Sequence, residues 1–399
     1  MFDKLYKMTA IEGLVNNPGS ILMILVALLL FYLGIRKKFE PLLLIPIAFG
    51  VLVANFPGGN MAVVSSTEDP AIANMHGLEI AQKYGIVNYL YYNLIKTGLL
   101  PPLIFLGVGA MTDFGPMLRN LKLAFFGAAA QIGIFLVFLA AVLLGFNLKD
   151  AAALAIIGGA DGPTAIYTSI MLAPHLLGPI AVAAYSYMAL VPVIIPMVVK
   201  WTMTETELRI HMKEQDQLFP SKNQIKDLRT VKIMFPIVLT ILGAILIPSA
   251  LPLLGFLLLG NLLKEIGPDT ARLASAASDT IMNVATIFLG VLVGATMSAQ
   301  SFLKSETLLI LLGGFLAFSL SVAGGIFAVK IFNLFSKKKI NPLIGATGLS
   351  AVPMSSRVAN EIALRYDKTN HILQYAMSSN IAGVIGSAAA AGVFIAFLK

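Results

Sequence analysis

The sequence predicts an all-α polytopic membrane protein, organised as an inverted structural repeat whose broken, re-entrant helices meet at the bilayer midplane. Three observations predict this class. Of the 399 residues, 58% are hydrophobic and 12% are charged, whereas soluble domains carry about 25% charged residues. The 34 glycines and 20 prolines fall largely inside apolar spans, which is typical of the discontinuous helices of transporters. Short sequences of the first half also recur in the second half.

Apolar spans follow one another along the chain, and several are shorter than the stretch of about 20 residues that a helix needs to cross a bilayer. Their order is 20–35, 41–55, 86–112, 121–146, 150–172 (broken), 177–199, 233–263 (broken at Pro248 and Pro252), 281–298, 307–333, 340–356 (broken) and 370–398. We therefore expect an amphipathic N-terminal segment at 1–19, a first membrane half at 20–199 and a second membrane half at 233–399.

One long polar segment, 200–232, separates the two halves. Two interpretations of it remain open, a solvated linker and a docking surface for a soluble partner. Its charged residues include Glu205, Glu207, Arg209, Lys213, Glu214 and Asp216.

The halves repeat in sequence. Residues 104–108 (IFLGV) recur at 287–291, and residues 159–162 (GADG) recur at 345–348 as GATG. The separations of 183 and 186 residues are nearly equal and the order is kept. This agreement predicts a structural repeat.

Basic residues predict how the repeat is oriented. Arg119 and Lys122 precede the helix of 123–146, whereas the basic cluster 337–339 follows the matching helix of 307–333. Cytoplasmic loops carry an excess of Lys and Arg. The matching helices should therefore run in opposite directions, as in an inverted repeat, with the basic segment 36–38 also on the cytoplasmic side.

Asp161 is the residue with the clearest functional signal. It lies in residues 158–164 (GGADGPT), inside an apolar span, where a carboxylate costs about 2.5–3.5 kcal/mol on insertion scales. The flanking glycines and proline break the helix, and broken backbone is tolerated in a bilayer where it is buried in protein or lines a wet cavity. Transporters build cation sites in this way.

Oxygen-bearing side chains flank the corresponding break in each half, and hard cations prefer such ligands. Sodium is the expected guest, because the chain has too few acids here for a divalent site. The candidates in the first half are Asp161, Thr164 and Tyr187, and those in the second half are Asn341, Gly345, Thr347 and Ser350, followed by Arg357.

Structural roles remain open for these residues. Asp161 could cap a helix, Tyr187 could pack as an aromatic, and Asn341 or Ser350 could serve capping and packing. Arg357 could pair with Glu361 one turn on or bind an anion at the cytoplasmic mouth. For a further acid, Asp113, helix capping is the favoured interpretation. Tight helix packing is the favoured interpretation of a polar group on the last span, which consists of Ser378, Ser379, Asn380 and Ser387.

Several classes of chemistry are excluded. The chain has no cysteine and four scattered histidines, so thiolate chemistry and Cys-ligated metals are absent. It has no nucleotide-binding loop and no AMKM biotin-attachment sequence. The net charge of +8 indicates membrane topology and lipid contact, and no nucleic acid is expected.

Two motifs resemble the signatures of the beta subunits of the sodium-pumping biotin-dependent decarboxylases, which act on oxaloacetate, methylmalonyl-CoA, glutaconyl-CoA or malonate. The first is residues 158–164 (GGADGPT). The second is residues 341–345 (NPLIG), continuing through Ser350 to 351–360 (AVPMSSRVAN). The resemblance extends from about residue 20 to the end of the chain.

The resemblance implies a multi-pass protein of the cell (cytoplasmic) membrane that decarboxylates carboxybiotin, consumes a proton and exports sodium. Asp161 would be a sodium ligand, Tyr187 a ligand or proton-path residue, and Asn341, Gly345 and Ser350 would shape the second side of the site. Arg357 would bind the carboxylate of carboxybiotin. The implied partners are a carboxyltransferase subunit, a biotin carrier subunit and a small membrane anchor subunit, with a homo-oligomer inside the complex.

Two other functions fit the same residues less well. A secondary transporter, such as a sodium/proton antiporter or a sodium/carboxylate symporter, would share the inverted repeat and the midplane acid. A non-transporting membrane scaffold leaves Asp161 unexplained. The organic substrate, the sodium stoichiometry and the choice of Tyr187 or Ser350 as proton carrier are not decided by the sequence.

Overall fold

The computed structural model describes Tyr6 and residues 9–38, 40–64, 69–219 and 227–399. Every regular element in these ranges is helical, which confirms the all-α class. Within them, seven helices are long and apolar enough to cross a membrane, or nine if two bent helix pairs each count as one span. The chain is therefore a multi-pass membrane protein.

The first half consists of membrane-length helices, shorter apolar helices and tight turns. Two of its helix pairs bend sharply, by 62° between Ile86–Ile95 and Leu100–Met111 and by 69° between Pro174–Met188 and Val191–Thr202. The helices and turns are Ile11–Asn16, Pro18–Ile35, Pro41–Ala54, Pro70–Asn74, Gly77–Tyr84, Ile86–Leu90, Tyr91–Ile95, Leu100–Met111, Gly115–Arg119, Leu121–Ala130, Ile132–Leu143, Leu148–Ala155, Ile156–Gly159, Gly162–Leu172, Pro174–Leu176, Leu177–Ala189 and Val191–Thr202.

The polar segment contains the short helices Glu205–Leu208 and Met212–Leu218, and its residues 220–226 lie outside the described ranges. The second half then begins. Its helices and turns are Leu228–Leu246, Pro248–Ala250, Leu251–Ile266, Pro268–Thr270, Ala271–Ser275, Ala276–Ile281, Met282–Ala295, Ala299–Phe302, Ser305–Phe335, Leu343–Ala346, Met354–Tyr366 and Leu373–Leu398.

The structure refines the predicted spans. The break expected at Pro248 is present, since Leu228–Leu246 ends just before it. Pro252 makes no second break, because it lies in the first turn of Leu251–Ile266, where a missing N–H removes no intrahelical bond. The span expected at 281–298 starts earlier, at Pro268.

The predicted break around Asp161 forms the tip of a helical hairpin. Its first arm is Leu148–Ala155 with the turn Ile156–Gly159, and its second arm is Gly162–Leu172. At the base, Asp150 Oδ1 lies 3.3 Å from Nε2 of His175, just beyond the second arm. Both arms therefore end on one face of the molecule, and the tip with Asp161 is buried.

The second break forms a comparable hairpin, with the arms Leu343–Ala346 and Met354–Tyr366. Its two ends meet at one carbonyl, because Asn341 Nδ2 and Asn370 Nδ2 each lie 3.0 Å from Ile210 O. Ile210 belongs to the polar segment, so this hairpin enters from the face on which that segment lies. The two tips touch, with Ser350 N donating to Gly159 O at 2.8 Å.

Helix crossings occur in matched pairs. Asn55, at the end of Pro41–Ala54, donates through Nδ2 to Met297 O at 2.9 Å. Asn261, near the end of Leu251–Ile266, donates through Nδ2 to Thr112 O at 2.8 Å. The two acceptors, Thr112 and Met297, are 185 positions apart, close to the separations of 183 and 186 residues in the sequence repeat. The same contact is thus made twice, once by each half.

The matched spans 121–146 and 307–333 pack antiparallel. The Phe126 and Phe332 rings lie 5.4 Å apart. Gly133, which follows Phe126, lies against Ser321, which precedes Phe332. Glycine is required at 133, because a Cβ there would stand 2.4 Å from the Cα of Ser321. An inverted repeat requires this antiparallel packing, and the inversion relative to a membrane stays a prediction.

Candidate functional site

Asp161 is held by the backbone geometry of the first hairpin tip. Ala160 takes a left-handed conformation with φ of 52°, which ends the first arm. Asp161 itself is extended, and its Oδ1 accepts from Thr164 N at 3.2 Å as the N-cap of Gly162–Leu172. The capping role is therefore present, and it occupies one carboxylate oxygen only.

The second oxygen of Asp161 joins three parts of the chain. Oδ2 accepts from Ser350 Oγ at 2.8 Å and from Ser387 Oγ at 2.9 Å. Ser350 lies on the second hairpin tip and Ser387 on the helix Leu373–Leu398. The structure thus brings Asp161 and Ser350 together, as the sequence predicted, and adds Ser387, which the sequence assigned to helix packing.

Two further hydroxyls are buried beside this carboxylate. The Thr164 hydroxyl lies next to it and finds no partner of hydrogen-bond geometry among the described residues. The Tyr185 ring packs directly on Gly162, where a Cβ would stand 2.0 Å from the ring. The Tyr185 hydroxyl also has no partner in the described part of the chain. Sequence reasoning missed Tyr185, because nothing in its spacing distinguishes it from Tyr187.

A polar contact behind Ser350 ties the second hairpin to the last helix. Asn380 Nδ2 donates to Leu349 O, and Asn380 Oδ1 accepts from Ser356 Oγ at 3.1 Å. All of these groups are buried except the partly exposed Ser350. The group on the last span thus contains both site residues and packing residues, since Ser378 bonds the backbone carbonyls Pro116 O and Gln374 O, at 2.8 and 3.5 Å.

The structure places Tyr187 next to the helix Ser305–Phe335. Its hydroxyl donates to Leu311 O, and its ring packs against Gly314 and Phe315. Tyr187 therefore contacts this helix. Its role in sodium binding or proton transfer stays a prediction.

The remaining second-half candidates shape the second hairpin. Asn341 Nδ2 bonds Leu208 O and Ile210 O at 3.1 and 3.0 Å, while its Oδ1 accepts from Leu343 N. Gly345 lies against the backbone of Gly325, at a distance that leaves no room for a Cβ. Thr347 Oγ1 bonds Ile344 O and Ala376 O. These three residues therefore make structural contacts. Their roles as ligands stay predictions.

Arg357 is exposed on the second arm of the second hairpin. Its guanidinium forms no ion pair and no hydrogen bond with any residue that the structure describes, so the pair with Glu361 is not made there. A guanidinium left without a protein carboxylate can bind an anion.

Asp113 accepts a hydrogen bond at the start of the helix Gly115–Arg119, as expected of a residue at a helix cap. Its Oδ1 accepts from Gly115 N at 2.8 Å and lies 2.5 Å from Lys232 Nζ. Burial opposes ionisation, but the Lys232 ammonium and the Gly115 N–H outweigh it and hold the pKa of Asp113 below its usual range. The contact fastens the start of the second half to the first half.

The donor set around Asp161 suits a monovalent hard cation. It offers one carboxylate and several neutral hydroxyl oxygens, and sodium needs no larger negative charge. The described residues contain no group of three or more His, Cys, Asp or Glu that could hold a metal ion.

The apolar helices and the buried oxygen site between two opposed hairpins define a multi-pass membrane protein of the ion-transporting class. Residues 19–398 match the model of one family, the Na⁺-transporting oxaloacetate decarboxylase beta subunit. The chain belongs to this family and is a membrane-embedded subunit of a sodium-transporting decarboxylase complex, as the motifs at 158–164 and 341–360 predicted.

Similar proteins cover nearly the whole chain. The methylmalonyl-CoA decarboxylase subunit beta of Propionigenium modestum is 48% identical over 98% of this chain and 97% of its own length. The oxaloacetate decarboxylase beta chain 2 of Salmonella typhimurium is 46% identical over 96% of each chain. The methylmalonyl-CoA decarboxylase subunit beta of Veillonella parvula is 45% identical over 98% of each.

Proposed function

We propose that this chain decarboxylates carboxybiotin, which a biotin carrier subunit delivers, and couples the reaction to sodium export with a proton consumed. The observation that carries the proposal is the buried Asp161 carboxylate of the first half, which accepts hydrogen bonds from two hydroxyl groups of the second half, those of Ser350 and Ser387. Membership of a Na⁺-transporting decarboxylase family supports it.

The chemistry balances with one proton. In carboxybiotin the carboxylate is bonded to a ureido nitrogen. The C–N bond breaks, CO₂ leaves, and the electron pair stays on the nitrogen, which takes up the proton. The protein's task is therefore to supply that proton from a defined place, and to let its movement change the occupancy of the sodium site.

Asp161 is the charged ligand of the proposed sodium site, and Ser350 and Ser387 are neutral ligands. Both hydroxyls donate to Asp161 Oδ2. A bound cation would be coordinated by their lone pairs, and each hydroxyl proton could stay directed at Asp161 Oδ2 or turn away. Tyr187, Asn341 and Gly345 complete the proposed set of sodium ligands.

Access alternates between the two faces in this proposal. The first hairpin enters from the face of His175 and the second from the face of the polar segment. An ion held between the tips can leave toward either face once one tip moves. Decarboxylation can drive such a change only by favouring one arrangement over the other.

Arg357 is the proposed contact for the carboxylate of carboxybiotin. It is exposed on the second hairpin, seven positions after Ser350, and finds no carboxylate among the described residues. The Arg fork binds a carboxylate through two parallel hydrogen bonds. Contact with carboxybiotin at this arm would reach the sodium site through the hairpin itself.

The proposed complex includes a carboxyltransferase subunit, a biotin carrier subunit and a small membrane anchor subunit, with more than one copy of this chain. The carboxyltransferase recognises the organic acid or acyl-CoA. The names of the relatives cover both oxaloacetate and methylmalonyl-CoA, so the choice of substrate is left to that subunit.

A secondary sodium transporter is the second candidate. The opposed hairpins and the single buried acid favour it, since a transporter needs nothing more. Sodium transport in proteoliposomes that contain the chain distinguishes the two functions. A transporter would exchange sodium in the absence of carboxybiotin, whereas the proposed pump requires it.

Asp161→Asn tests the proposed site. Asparagine can still cap Thr164 N, so the hairpin is kept while the charge is removed. We expect loss of sodium-dependent decarboxylation by the purified complex, with normal insertion of the subunit. Normal sodium-stimulated turnover in this variant would overturn the assignment of Asp161.

A further inference from the structure

A buried amide outside the predicted set reaches the same two hairpin tips. Gln131 lies within the span Leu121–Leu143, at the turn between two helical segments, and is 6% exposed. Its Nε2 lies 3.0 Å from Gly348 O on the second tip, 3.2 Å from Gly127 O and 3.5 Å from Gly383 O on the last helix.

These contacts fix which way the amide points. The NH₂ group carries two donors, and the oxygen carries none. A flipped amide would place Oε1 against three carbonyl oxygens, which repel it and satisfy nothing. The nitrogen therefore faces Gly348 and Gly383, and the oxygen must face the opposite direction.

In that direction lies the first hairpin tip. Oε1 is 3.7 Å from the position that a Cβ on Gly159 would take, and the Cβ of Ser387 is 3.0 Å from the same point. Ser387 donates its hydroxyl proton to Asp161 Oδ2 or Val384 O. No group in the described part of the chain donates to Oε1, so a buried acceptor is left beside the Asp161 tip.

We infer that Gln131 is a further residue of the cation site, where Oε1 supplies a neutral oxygen ligand and Nε2 ties that ligand to the second hairpin and the last helix. Amide oxygens are suitable ligands for hard cations, and a bound ion would satisfy an acceptor that is costly to leave unpaired. The inference rests on the proposed function, because it assumes that Asp161 holds sodium.

The same amide would report on the arrangement of the hairpins. Only when Gly348 and Gly383 are both in place do the donors of Nε2 orient Oε1 toward the first tip. Displacement of the second hairpin would release the amide and remove one ligand. Ion affinity would then fall as the site opens.

A second buried amide provides the matched control. Asn261 also donates its NH₂ to backbone carbonyls, Thr112 O and Gly109 O, and its Oδ1 also lacks a partner among the described residues. It lies at a helix crossing near Asp113 and not at a hairpin tip. Asn261→Leu therefore removes a comparable amide without touching the proposed site.

The experiment measures equilibrium binding of radioactive sodium to the complete purified complex, with lithium competition and across a pH series. Gln131→Leu keeps the volume and removes both functions of the amide. We expect its sodium dissociation constant to rise about tenfold or more, with an altered lithium-to-sodium ratio.

The control arms separate the possible failures. Asn261→Leu should leave the dissociation constant and the ion ratio of the parent. If Gln131→Leu stays within about twofold of the parent while Asp161→Asn loses binding, the role of Gln131 is refuted and the proposed function stands. If Gln131→Leu weakens sodium and lithium binding to the same extent, the amide acts through packing alone and the inference is also refuted. Retained binding in Asp161→Asn would refute the proposed function itself.

Discussion

Asp161 divides its two oxygens between structure and chemistry. Oδ1 caps the helix Gly162–Leu172, and Oδ2 receives the Ser350 and Ser387 hydroxyls. A helix N-terminus favours negative charge, so the cap offsets part of the cost of placing a carboxylate at this depth. The capping interpretation and the ion-binding interpretation are therefore not alternatives for this residue.

The proton carrier can be identified among three hydroxyls. Tyr187→Phe, Ser350→Ala and Tyr185→Phe each remove a hydroxyl with little change in volume. A phenol releases its proton more readily than an aliphatic alcohol, so we expect Tyr187→Phe to shift the pH optimum of decarboxylation and Ser350→Ala to raise the sodium requirement. Tyr185→Phe is the comparison for a tyrosine packed on the Asp161 tip.

Activity against pH at several sodium concentrations distinguishes these roles. A pH profile identical to that of the parent in Tyr187→Phe, with only sodium affinity changed, would show that this hydroxyl is a ligand and carries no proton. A shift seen in Tyr185→Phe instead would transfer the role to the tyrosine on Gly162.

Arg357→Lys tests anion binding at the second hairpin. Lysine keeps the charge and loses the planar fork, and Arg357 has no protein partner to lose among the described residues. We expect weaker use of carboxybiotin, with sodium affinity nearly unchanged, in assays that vary each ligand separately. Glu361→Gln is the matched control and should behave like the parent. Equal loss of both affinities in Arg357→Lys would indicate a structural role.

At the scale of elements, the two hairpins explain how a polar site can exist in an apolar protein. Each tip leaves backbone groups without helical partners, and the tips satisfy one another, with Ser350 N bonded to Gly159 O at 2.8 Å. Two further carbonyls of the second tip, Gly348 O and Leu349 O, accept from Gln131 and Asn380 of neighbouring helices. Broken backbone is thus buried in protein, as a bilayer requires.

Much of this could be predicted from sequence, because glycine and proline mark a broken helix locally. The breaks at Asp161 and Ser350 were found in this way, and so was the end of a helix at Pro248. Ser387 and Gln131 could not be found, since their partners are 226 and 217 positions away. Neither local propensity nor spacing carries information on which helix faces which.

Crosslinking tests whether the tips face one another in the working protein. The chain has no cysteine, so a pair placed at Ala160 and Ala346 is the only thiol pair present. Both positions are buried beside the tips. We expect a short bifunctional reagent to join the two cysteines. The crosslink should slow the separation of the two hairpin tips, which would be measured as reduced sodium transport.

The single-cysteine variants are the controls for reaction with the reagent alone. If both cysteines were inaccessible to water-soluble reagents from either side, a wet site between the tips would be refuted.

At the scale of the whole molecule, the two halves make the same contacts in opposite senses. Asn55 and Asn261 bind matched carbonyls, and the spans 121–146 and 307–333 pack antiparallel. The polar segment lies on the face of the basic cluster 337–339, because Lys338 Nζ is 2.6 Å from Asp216 Oδ1. The positive-inside rule predicts that this face is cytoplasmic. We then expect the first hairpin to open to the outside and the second to the cytoplasm.

Single cysteines at exposed lysines test this orientation. Lys122 and Lys304 stand at the starts of the two matching spans, so an inverted repeat places them on opposite sides of the membrane. We expect a membrane-impermeant maleimide to label Lys122→Cys in inside-out vesicles only, and Lys304→Cys in right-side-out vesicles only. Lys337→Cys serves as the cytoplasmic reference and Lys149→Cys, near the base of the first hairpin, as the external one. Labelling of Lys122→Cys and Lys304→Cys from the same side would refute the inversion, and with it the argument that each hairpin enters from a different face.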